Sequence, residues 1–140
     1  WERFAADAAQ LANKMDARFV RPGMLSPADA DALENSADVL VSLGNAYDNQ
    51  MPSKLFGYFA TGKPVLHLAV SESDPTLPYL ARYPLALVLH AGEGVTPGVV
   101  AKLDKWLHDV KGKHLPFAEV AKLYPEFTPE KVAEAFLRGM

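Results

Sequence analysis

The sequence predicts an α/β fold, a mainly parallel sheet flanked by helices, and three observations point there. Runs at 38–43, 64–70 and 85–90 are apolar almost throughout, the composition of strands buried on both faces of a parallel sheet. Segments with helical periodicity alternate with them, as helical crossovers between parallel strands require. The stretch Pro52-Ser53-Lys54-Leu55-Phe56-Gly57-Tyr58-Phe59-Ala60-Thr61-Gly62-Lys63-Pro64-Val65 reads as a helix opened by proline, closed by glycine and running straight into a strand.

Taken in order, Phe4, Ala8, Leu11, Ala12 and Met15 recur at helical spacing and predict a first helix near 2–15. Arg18-Phe19-Val20-Arg21 predicts a short strand near 18–22, stopped by Pro22-Gly23. Ser26-Pro27 with Asp29 opens a helix to about Ala37, serine capping and proline in the first turn. The strand 38–43 and the Pro52–Gly62 helix follow, then strand 64–70, a short helix from Pro75 to Tyr83 and a strand at 85–90 closed by Ala91-Gly92. Val99, Leu103, Trp106, Leu107 and Val110 form one stripe of a helix from Val99 to Val110. Phe117 to Leu123 and Thr128 to Leu137 are two further helices, the last with a threonine cap and Pro129 at its first position.

A chain of 140 residues supports one domain with a real core, and 49 % hydrophobic with 22 % charged residues is an ordinary globular composition. The net charge of −3 argues against non-specific nucleic-acid binding, which needs a basic face. Without cysteine there is no disulfide and no thiolate metal site. His108 and His114 have no acidic spacing suggestive of a metal site, and no cofactor is expected. The longest apolar run is far short of a membrane span, and no signal peptide is apparent, so the expectation is a cytoplasmic protein. Trp1 leads straight into a helical pattern, without Met and without a leading strand, which reads as a piece of a longer chain.

Ligands of open α/β sheets bind beyond the carboxyl ends of the strands. Three loops qualify: Gly44–Met51, Ser71–Pro75 and Ala91–Thr96. The first is richest in hydrogen-bonding side chains, with Asn45, Asp48, Asn49 and Gln50. Such residues also form ordinary turns by bonding their own backbone. A strand, a Gly/Asn loop and a helix start together make a pocket of backbone N–H groups suited to phosphate. Lys54 either binds that phosphate or is a solvated first-turn lysine. A cation there opposes the helix dipole unless an anion is near. Ser53 divides between capping and ligand contact, and Lys63 reads as solvated. Gly57 sits in a helix interior, where glycine costs about 0.5–1 kcal/mol relative to alanine. The acidic loop Ser71-Glu72-Ser73-Asp74 suits hydroxyls. His67, inside a strand, reads as a satisfied core residue before a general acid–base; His90 stands at a carboxyl edge. No spacing argues for a Ser/His/Asp grouping, since nothing like a nucleophile elbow is present.

Three segments resemble the donor-binding half of bacterial glycosyltransferases with the GT-B fold, family 4-like and family 1-like. They are Ala37-Asp38-Val39-Leu40-Val41-Ser42-Leu43-Gly44-Asn45, Asn49-Gln50-Met51-Pro52-Ser53-Lys54 and Tyr58-Phe59-Ala60-Thr61-Gly62-Lys63-Pro64-Val65. The resemblance covers roughly residues 26–91. It implies a Rossmann-like domain, one half of a GT-B fold, that holds a nucleoside-diphosphate sugar and works with an N-terminal acceptor-binding domain. It further implies that Ser53 and Lys54 face the diphosphate and that Gly44, Asn45, Asn49 and Gln50 line the sugar end. Many relatives carry two glutamates separated by seven residues, the second on the ribose hydroxyls. Here that spacing falls on Asn49 and Gly57, and neither is acidic. A non-catalytic α/β interaction module is the alternative, while a dinucleotide-binding domain is disfavoured because no Gly-x-Gly-x-x-Gly follows a strand.

Overall fold

The structure is a computed structural model that describes residues 20, 22–45, 47 and 49–138. The helix expected near 2–15 lies outside these residues, as does most of the strand expected at 18–22. The chain divides into two compact units, Trp1–Asn35 and Ser36–Met140. In the first, α1 (Pro27–Ser36) starts as its sequence requires. The Ser26 hydroxyl accepts from the Asp29 backbone N–H at 3.2 Å and donates to its carboxylate at 2.6 Å, a reciprocal cap. None of the residues of α1 is buried.

The second unit is α/β and Rossmann-like. Among the described residues three strands, β1 (Leu40–Leu43), β2 (Val65–Ala69) and β3 (Ala86–His90), lie side by side in chain order, all parallel. Helices α2 (Lys54–Ala60) and α3 (Leu77–Leu80) make the two crossovers. A short 3₁₀ turn and α4 (Pro97–Val110), α5 (Phe117–Leu123), a second 3₁₀ turn and α6 (Pro129–Arg138) follow among the described residues. The helix α4 is capped by Thr96, whose hydroxyl accepts from Val99 N–H at 3.3 Å, with Pro97 at its first position. The observed α2 is shorter than the expected Pro52–Gly62, because Pro52 and Ser53 form the turn leading in and Thr61-Gly62 the turn leading out.

Register places Leu40 beside Val65 and Ala86, and Ser42 beside His67 and Val88, on one face of the sheet. The core lies against that face. Leu55, Phe59, Leu80 and Val120 from α2, α3 and α5 close over Val65, with Tyr83, Leu85, Val110 and Tyr124 around them. Phe59 stacks on Tyr124 with ring centres 4.9 Å apart and lies 4.6 Å from Tyr83. Both phenols donate to backbone carbonyls, Tyr83 to Lys63 and Tyr124 to Tyr79, each at 2.8 Å. Burial pushes the Tyr83 phenol up to about 12 and raises that of Tyr124 as well. Trp106 packs on this core as helix packing predicts, though its indole N–H finds no partner, and Leu107 of the same stripe is exposed.

The opposite face departs from expectation. Strand β1 is not buried on both sides: Val41 is 50 % and Leu43 64 % exposed, while Leu87 and Leu89 of β3 are buried on that same face. Among the described residues β1 is an edge strand, and its outer face alternates accordingly. The turn after α2 is set by Gly62, at φ +73°. A Cβ there would meet the Leu115 carbonyl oxygen at 2.0 Å, and the Leu115 N–H donates to the Gly62 carbonyl at 2.8 Å.

Candidate functional site

The parallel arrangement sends the carboxyl ends of all three strands to one edge, and two cavities open there. The larger, about 370 Å³, lies between the end of β1 and the first turn of α2, lined by Val41, Ser42, Leu43, Pro52, Ser53, Lys54 and Tyr58. Ser53 makes no side-chain capping bond, and the first turn of α2 carries no acidic residue. The α2 helix is short, seven residues, so its dipole is small and a side-chain cation matters more to any anion.

Of the residues expected here, Ser53 and Lys54 line this cavity together, Asp48 lies outside the described residues, and the others fall elsewhere. The Gly44 N–H donates to the Leu68 carbonyl at 2.9 Å, so Gly44 still belongs to the sheet margin. Asn45 spends its side-chain amide on the Gln50 carbonyl at 3.4 Å, which is the turn-forming role. Asn49 and Gln50 are exposed. Gly57 is exposed too, and a Cβ there would meet nothing within 4 Å, so no close contact explains the glycine. Lys63 is not simply solvated: it is half-buried, and its Nζ donates to the Ala37 carbonyl at 2.7 Å.

The second cavity, about 220 Å³, lies beyond β2 and β3 and is lined by Ala69, Val70, Glu72, His90, Gly92 and Glu93. His90 pairs with Glu72 at 3.3 Å at this carboxyl edge. A third, about 150 Å³, is walled by Phe56, Phe59, Phe117, Tyr124 and Phe127 and is too apolar to hold an anion.

What the spacing did not reveal is a buried polar knot just beneath the first cavity. His67 is fully enclosed, with Nδ1 3.1 Å from the Ser42 hydroxyl and Nε2 3.1 Å from Asp74 Oδ2. The Thr76 hydroxyl donates to Asp74 Oδ1 at 2.6 Å, and the Thr76 backbone N–H reaches the same oxygen at 2.8 Å. Thr76 Oγ1 also lies 3.3 Å from His67 Nε2. One assignment satisfies every atom: Ser42 donates to Nδ1, Nε2–H donates to Asp74, and Thr76 completes the carboxylate. Burial pushes the Asp74 carboxyl up, but the hydrogen bonds from Thr76 and His67 outweigh it and hold it below its ordinary value.

A serine, a histidine and an aspartate are thus assembled after all. They are only 6 %, 0 % and 3 % exposed and are bonded to one another within the interior, the character of a structural group rather than of a nucleophile–base pair. Asp74, read from the sequence as part of an acidic loop facing hydroxyls, points inward, and of the loop's two carboxylates it is Glu72 that stands in solvent. The Asp74-Pro75-Thr76 turn was the available signal, since an aspartate followed two residues on by a threonine at a helix start suits local side-chain bonding.

Among the described residues no group of three or more His, Asp or Glu side chains is placed to hold a metal ion, and no helix is long and apolar enough to cross a membrane. Compared with protein-family models, with curated proteins and with solved structures, the chain matches none.

Proposed function

We propose that this chain is the nucleotide-sugar-binding domain of a glycosyltransferase, taking the diphosphate of its donor in the cavity between β1 and α2. The observation that carries the reading is the pairing of Lys54 with the first turn of α2 over the carboxyl end of a parallel strand. Open α/β sheets use that edge for ligands, and a cation beside backbone donors suits a phosphate better than any neutral ligand. The resemblance of residues 26–91 to the GT-B donor domain supplies the sugar nucleotide. Transfer to an acceptor then needs a second domain, so the 140-residue chain binds donor without turnover.

Calorimetry across UDP-, GDP-, ADP- and TDP-sugars tests this. Lys54→Ala is expected to weaken binding by about 1–3 kcal/mol, the range for a charged hydrogen bond. Because Lys63 ties down the Ala37 carbonyl, the neutral control is Lys111→Ala, at the exposed far end of α4. Equal affinity for wild type and Lys54→Ala, or no binding of any nucleotide sugar, overturns the reading. Gly57→Glu restores the carboxylate that relatives place on ribose, and open space around Gly57 admits it. Tighter binding in that variant supports the orientation of the nucleotide. The interaction-module reading draws on the same position, where no acidic side chain stands.

A further inference from the structure

We infer that His67 is a positioning residue, the centre of a buried latch that fixes the roots of two carboxyl-end loops to each other. Its ring reaches β1 through Ser42 on one side and the β2–α3 loop through Asp74 on the other, bridging residues 25 and 7 positions away. The latch acts at the root of the Gly44–Gln50 loop: Asp74 Oδ2 lies 2.4 Å from where a Gly44 Cβ would stand, so only glycine lets the carboxylate sit against that backbone. Beyond the root, the described residues of the loop bond the Asn45 side-chain amide to the Gln50 carbonyl at 3.4 Å and the Gln50 amide to the Tyr47 carbonyl at 3.3 Å. The cavity wall formed by Leu43, Pro52 and Ser53 flanks this loop on both sides. The inference is independent of what the cavity binds.

The two arms of the latch have separate reporters. The Gly44 amide is bonded to Leu68 at 2.9 Å and the Thr76 amide to Asp74 at 2.8 Å; the Val65 amide, bonded to Leu85 at 3.0 Å at the opposite end of β2, is the reference. Amide hydrogen exchange is measured residue by residue on the full chain. Ser42→Ala cuts only the arm to β1 and is expected to speed exchange at Gly44 about tenfold, leaving Thr76 and Val65 unchanged. His67→Phe cuts both arms and is expected to speed exchange at Gly44 and Thr76 alike, relative to Val65. Unchanged exchange at Gly44 in Ser42→Ala overturns the inference, as does a uniform rise at all three amides. Should His67→Phe fail to fold, Ser42→Ala decides alone, because that small substitution leaves the His67–Asp74–Thr76 contacts in place.

Discussion

Val65 and His67 stand two residues apart on the same strand and the same sheet face, yet each belongs to a different kind of interior. Around Val65 the chain packs aromatic and aliphatic groups chiefly by shape: Phe59 lies against Tyr83 and Tyr124, and the cluster extends to Phe56, Tyr79 and Phe127. Around His67 four polar side chains close a circuit in which each atom has a named partner. The apolar region is stabilised by area and fit, which degrade gradually with lost volume. The polar region depends on pairing, because each missing partner leaves the group it faced buried away from water.

The largest expected effect is in the aromatic region. Phe59→Ala is expected to cost about 3–5 kcal/mol in chemical denaturation, as deletion of a fully buried ring does. Phe59→Leu should cost far less, since neighbours close over much of the difference. His67→Phe keeps an aromatic ring but removes both ring nitrogens, and should cost about 2–3 kcal/mol, the penalty of stranding buried hydrogen-bonding groups. A His67→Phe variant no less stable than Phe59→Leu breaks the comparison.

Acid sharpens it. The folded Asp74 pKa lies below its ordinary value of 3.8, so in acid the unfolded chain binds the proton first and stability rises with pH there. The contribution of Asp74 is complete above 3.8 and is lost as pH falls through the lower folded value. The gap in melting temperature between wild type and Asp74→Asn is therefore expected to be widest near neutrality and to shrink below pH 3.8. A gap that stays constant into strong acid contradicts the arrangement.

The smallest effect is a gain. Gly57 lies in the interior of α2 with open space where a Cβ would sit, so Gly57→Ala should stabilise by about 0.5–1 kcal/mol, read from denaturant midpoints. A loss would mean that the backbone there needs glycine for a reason other than space.

What the sequence by itself determined is local and periodic. The alternation of apolar runs with helical stripes settled the α/β class, and Ser26, Thr96, Pro97 and Gly62 marked helix and turn boundaries through bonds that span only a few residues. It also placed Ser53 and Lys54 at the end of β1, because a strand running into a loop and a helix start is itself a local pattern. Only the tertiary structure decided which side chains on those elements meet. The outer face of β1 is exposed because β1 is the edge of the described sheet, a fact about neighbours that its apolar run could not carry. Ser42 meets His67 because the register of β1 against β2 puts them side by side, and Asp74 turns inward because that pair leaves an acceptor site to fill. Periodicity reports how one segment buries its own surface, whereas polar partnerships depend on the alignment of strands far apart in the chain, which is settled only when the sheet assembles.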